Sequence, residues 1–153
     1  GAVVAQTFID LADPFSERYV GLLRRIAAAH PQVKVLIRHQ PLPFHPGAEL
    51  AHQAALEAYA QQGNAGFWAL ADAIMASPKA IGRDDLVGHA RVAGLDVAAF
   101  EAALDDQRHA ARVQQDEKAV SDAGLPIKVL AVGQRTMKGT SPQAAIEAFL
   151  LGG

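Results

Sequence analysis

VVAQTFIDLADPFSERYVGLLRRIAAAHPQVKVLIR, residues 3–38, decides the fold of this chain. Its first eight residues mix β-branched and aromatic side chains as a mostly buried strand does. Tyr19, Val20, Leu22, Leu23, Ile26 and Ala27 then recur at helical spacing, with Asp13 placed to cap the helix and Pro14 at its first position. His30 precedes Pro31, which ends the helix near Ala29. Residues 33–38 form a second apolar run rich in β-branched residues. Strand, helix and strand in this order make a parallel unit with a right-handed crossover.

Outward from that unit the period changes twice. Gln40 to Gly47 holds three prolines in six residues (Pro41, Pro43 and Pro46), so it is a structured loop. An alanine-rich helix runs from Ala48 to about Ala60. Gln62-Gly63-Asn64-Ala65-Gly66 breaks it, and a further helix covers Phe67 to Ala76. Helices are expected over 83–93, 97–104 and 109–123, with Gly94 and Gly124 as stops. Strands near 128–133 and 135–139 flank Gly133-Gln134 as a hairpin, and Ser141 and Pro142 open a last helix as N-cap and first position. The order β-α-β, helical block, β-β-α, without a repeat or linker, reads as one α/β domain over 1–153. Its core is about 1–40 and 124–153, its helical insertion about 48–106, and its connecting helix about 109–123.

Composition narrows the function. The 153 residues are 50% apolar and 20% charged, with a net charge of −2, so the chain has the profile of a globular domain and no field for nucleic acid or an anionic membrane. No apolar run approaches the roughly 18 residues of a membrane span. No signal segment is present, Gly1 reads as a cloning remnant, and the sequence reads as a domain cut from a longer protein. Cysteine is absent, which removes disulfides, thiolate metal sites and cysteine nucleophiles from the chain's repertoire. The six histidines show no metal-ligand spacing, and His39, His45 and His52 read as loop and surface residues; neither metal nor cofactor is expected. Lys128, Arg135 and Lys138 read as edge-blocking charges, and Tyr59, Phe67 and Trp68 as aromatics sealing the insertion onto the core.

Three local tracts carry a resemblance: Arg38-His39-Gln40-Pro41-Leu42-Pro43-Phe44-His45-Pro46, Gln62 to Trp68, and Leu95 to Phe100 with His109 to Val113. With the element order, they make the chain similar to the DsbA-like family of thioredoxin-fold disulfide oxidoreductases. The resemblance implies a thioredoxin-like core with an inserted helical subdomain, and a periplasmic or cell-envelope setting. The family's chemistry sits on Cys-x-x-Cys at the start of the first helix, opposite a cis-proline loop. Here the matching residues are Asp13-Pro14-Phe15-Ser16 and Pro126-Ile127-Lys128-Val129, with Lys128 in the cis-proline place. A carboxylate and a hydroxyl cannot exchange disulfides, and lysine does not sustain a cis peptide costing roughly 2.5–4 kcal/mol. At this stage Asp13 is a helix cap and Ser16 a first-turn hydroxyl.

The resemblance therefore implies a redox-inactive module that holds a polypeptide or a sister domain through these two segments, and a homodimer is a further option. Two enzyme alternatives stay open: thiol chemistry supplied by another domain, and glutathione-dependent transfer or isomerisation of the kappa-class or hydroxychromene carboxylate isomerase type at Ser16.

Overall fold

A computed structural model of the chain describes residues 1–152. β1 (Val3–Ile9) pairs in parallel with β2 (Val33–His39), from Val3 opposite Val33 to Ile9 opposite His39. α1 (Ser16–Ala29) crosses between them. The helical block follows as α2 (Ala48–Ala76), α3 (Arg83–Val92), α4 (Val97–Asp105) and α5 (Ala110–Asp122). The chain returns through β3 (Val129–Val132), β4 (Arg135–Lys138) and α6 (Gln143–Leu151). β3 lies antiparallel to β1, with Thr7 opposite Leu130, and the sheet order is β2-β1-β3-β4. This is the thioredoxin-like core, with helices inserted between its halves, that the family resemblance implied.

Side-chain alternation along β1 sends neighbours to opposite layers. Ala5 and Ile9 join Val20, Leu23, Leu130, Ile146 and Leu150 in the main core, while Phe8 packs with Val120 and Val129 in a smaller cluster. Ala51, Ala54, Ala55 and Ala58 are fully buried in α2, where side chains this short allow close helix approach. Burial of the large side chains Leu70, Ile74, Leu86 and Phe100 ties the insertion to the same core.

Five local expectations are corrected. The helix interruption is one kink, confined to Gln62 and Gly63, because Gly63 takes φ 64° and ψ −149°, a backbone region almost closed to other residues. Asn64 to Gly66 are already helical. α6 starts at Gln143, with Pro142 extended at ψ 150° in the cap position, so its carbonyl accepts the N–H groups of Ala145 and Ile146. β3 starts at Val129 because Lys128 lies in the left-handed region at φ 58°. α1 becomes regular only at Ser16, after a turn. Phe67 is buried and Trp68 packs on the core as expected, but Tyr59 is 52% exposed and seals nothing.

Candidate functional site

The two sequence segments meet at the carboxyl end of β1. There the chain must turn from a buried strand into α1, and Asp10 organises the turn. Its carboxylate accepts the N–H of Ala12 at 2.8 Å and of Leu42 at 3.0 Å, and lies 2.6 Å from His45 Nδ1. One buried acid thus joins the turn before α1 to the proline-rich loop. Burial pushes its pKa up, but the His45 contact and the Leu42 N–H outweigh that and hold it at about 2.

Asp13 sits one turn further. Its Oδ1 accepts the Phe15 N–H at 2.9 Å inside the turn and its carbonyl accepts the Ser16 N–H. The cap position of α1 is Phe15, without a side-chain capping bond, so the expected N-cap role of Asp13 is corrected to that of a turn residue. Its Oδ2 lies 3.0 Å from Lys128 Nζ. The expectation that Lys128 merely guards a strand edge is therefore corrected: its left-handed backbone lets the side chain reach across to the helix start. Peptide bonds among the described residues are all trans, those before Pro126 and Lys128 included. The Lys128 ammonium also lies 5.1 Å from the Phe15 ring centroid. The two unusual residues of the site, read separately as losses, form one ion pair.

Beneath the pair, Phe15 stacks on Tyr19, whose hydroxyl is 2.6 Å from Thr7 Oγ1. Thr7 gives its only hydroxyl proton to the Val129 carbonyl at 3.0 Å, so Tyr19 is the donor to Thr7. Burial raises the Tyr19 pKa to about 12 against the opposing Thr7 bond, which keeps the phenol protonated for that role. Ser16 is 2% exposed and its Oγ donates to the Asp10 carbonyl at 2.5 Å. A nucleophile needs a base on its hydroxyl; among the described residues none is bonded to Ser16, whose proton is already committed to the backbone.

A buried polar network missed by the sequence reading supports this end of the sheet. His39 and His52 are 3% and 0% exposed, not loop and surface residues. His52 Nε2 accepts the Leu11 N–H at 2.9 Å, so its proton is on Nδ1 and points to His39 Nδ1 at 2.8 Å. Burial, then the neighbouring His52, lowers the His39 pKa to about 3. Asp116 of α5 accepts the His39 N–H at 2.9 Å and pairs with Arg38 and Arg112. Burial raises its pKa, but these bonds prevail and lower it. Asp10 carried one usable signal, an acid at the end of an apolar strand that needs buried partners. Asp116 looked like an ordinary helix-surface acid.

Among the described residues, no three carboxylate or imidazole side chains converge as metal ligands, and no helix is long and apolar enough to cross a membrane. Three apolar residues on the segments around this end of the sheet are open to solvent. Phe44 is 66% and Ile127 48% exposed, and Pro14 is exposed between the loops that hold them.

The model of the DSBA-like thioredoxin domain matches residues 9–150, and the chain belongs to that family. Among solved structures it is similar to the thiol-disulfide exchange protein alpha-DsbA2 from Wolbachia pipientis, with TM-score 0.84 and 15% identity over 98% of this chain and 81% of that one. A thioredoxin-like oxidoreductase from Silicibacter pomeroyi superposes with TM-score 0.80 at 23% identity, over 96% and 83% of the two chains. Curated relatives are the Na(+)/H(+) antiporter NhaA 3 of Salinispora tropica, 32% identical over 128 residues, and the Na(+)/H(+) antiporter NhaA of Herminiimonas arsenicoxydans, 33% identical over 119. The matches take in 81% and 77% of this chain but only 19% and 18% of those proteins, so it spans about a fifth of their length.

Proposed function

We propose that this domain is a redox-inactive DsbA-like module that holds a polypeptide segment at the face formed by residues 13–16 and 124–129. The Asp13–Lys128 ion pair carries the reading. It occupies the place where the family's thiols act, consumes both charges, and leaves an apolar rim of Pro14, Phe44 and Ile127 around a rigid floor. Apolar side chains left exposed beside a buried polar network suit binding better than catalysis. The similarity to a stretch of Na(+)/H(+) antiporters supports a sister domain of a membrane transporter as the partner.

Fluorescence anisotropy of a labelled unfolded peptide tests it. Binding should weaken at least fivefold in Ile127→Asp and Phe44→Asp, while Val92→Asp, an exposed apolar change remote in sequence from the site, leaves it unaltered. Equal binding by all three variants would overturn the proposal.

A further inference from the structure

Next to this face, a cavity of about 310 Å³ opens between α1 and the start of α6. Phe15, Leu22 and Ile146 supply apolar lining, Ser141 a hydroxyl, and Arg18 and Arg25 two guanidinium groups. Five other arginines meet acids: Arg24 pairs with Asp72, Arg38 and Arg112 with Asp116, Arg83 with Asp105, and Arg108 with Glu57 and Asp106, whereas Arg135 bonds only the Phe149 carbonyl and Arg91 forms no salt bridge among the described residues. Among the described residues Arg18 and Arg25 form no salt bridge, and both are exposed.

The spacing of these residues carries information. Arg18 and Arg25 are seven positions apart, so they share one helix face about 10.5 Å apart along the axis, with Leu22 between them. In an extended peptide, residues i, i+2 and i+4 also share a face and span about 13 Å. Two carboxylates flanking an apolar side chain in that pattern place one acid near each guanidinium and the apolar group over Leu22 and Ile146. Arginine's flexible stem absorbs the remaining difference.

We infer that the cavity selects an extended acidic segment, acid-x-apolar-x-acid, in the polypeptide this domain holds. The inference rests on the binding role proposed above and adds its charge specificity.

The test uses the whole chain and three acetylated peptides carrying Glu-Ser-Leu-Ser-Glu, Gln-Ser-Leu-Ser-Gln or Lys-Ser-Leu-Ser-Lys, with affinities read by amide NMR shifts. The Glu peptide should bind about five- to tenfold tighter than the Gln peptide, the scale of two exposed ion pairs. Raising NaCl from about 0.02 to about 0.3 M should shrink that advantage. In Arg18→Glu with Arg25→Glu, preference should invert towards the Lys peptide, and Arg18→Gln with Arg25→Gln serves if the charge-reversed protein does not fold. Equal binding of Glu and Gln peptides overturns the charge specificity and leaves the binding role intact. Binding of anionic phosphatidylglycerol vesicles with indifference to the Glu peptide also overturns it. Silence with all peptides, unfolded ones included, overturns both.

Discussion

Replacing Asp10 by Asn preserves the side chain's shape but puts an amide where both oxygens accept backbone N–H groups. Whichever way the amide turns, its NH₂ meets a donor, from Ala12 or from Leu42. Such a buried mismatch costs roughly 1–3 kcal/mol. The charge adds a pH dependence with a definite sign. The Asp10 carboxyl titrates at its ordinary 3.8 in the unfolded chain and at about 2 in the fold. Its stabilisation is therefore complete above about pH 5 and lost as pH falls through about 2. At about 1.4 kcal/mol per pKa unit the shift is worth roughly 2.4 kcal/mol, of which about 2 should vanish between pH 5 and pH 2. Urea unfolding followed by the fluorescence of the single tryptophan, Trp68, measures both proteins over that range. Other titrating groups such as Asp116 are common to both and cancel in the difference. The wild-type advantage should be roughly 2–3 kcal/mol at pH 7 and nearly disappear at pH 2. Stability curves that run parallel from pH 7 to pH 2 would refute the assignment of Asp10 as the charged organiser of this turn.

Lys128→Ala removes the partner of Asp13 and keeps the left-handed backbone, so it should lower stability by about 0.5–1 kcal/mol in urea titrations. Lys128→Gly loses the same ion pair but relieves the φ 58° backbone, and should be about 1 kcal/mol more stable than Lys128→Ala. Asp116→Ala strands Arg38 and the His39 N–H beside an empty acceptor site, with an expected loss of roughly 3–5 kcal/mol measured the same way. Gly63→Ala meets no atom within 4 Å, so its expected loss of about 1–3 kcal/mol comes from backbone strain alone; an unchanged unfolding midpoint would place the kink elsewhere.

The fold was legible because its signals are local and agree: apolar strands at 3–10 and 33–38, alanine-rich periodicity from Ala48, and a hairpin at Gly133. Two of the failures share a cause. Gly63 and Lys128 take positive φ, and the kink at Gly63 is narrower than the polar, glycine-rich stretch 62–66 suggested. Lysine in the left-handed region has no composition signal at all. The candidate site was half legible. Asp13, Ser16 and Lys128 were singled out by position, but the pairing of Asp13 with Lys128 joins residues 115 apart in sequence, and only strand order brings them together. His39, His52, Asp10 and Asp116 stayed hidden because a buried polar network is recognisable only when its partners are known. His39, His52 and Asp116 alone look like surface residues, and only the place of Asp10 at the end of an apolar strand hinted at buried partners.

On the reading proposed above, the place of the family's chemistry has become a closed, non-catalytic binding face. Two-dimensional amide NMR of the chain with reduced glutathione, oxidised glutathione and an unfolded model peptide tests it most directly, following residues 13–16 and 124–129. Shifts are expected at those residues with peptide and none with either form of glutathione. Shifts there on adding glutathione, or silence with the peptide, would contradict it.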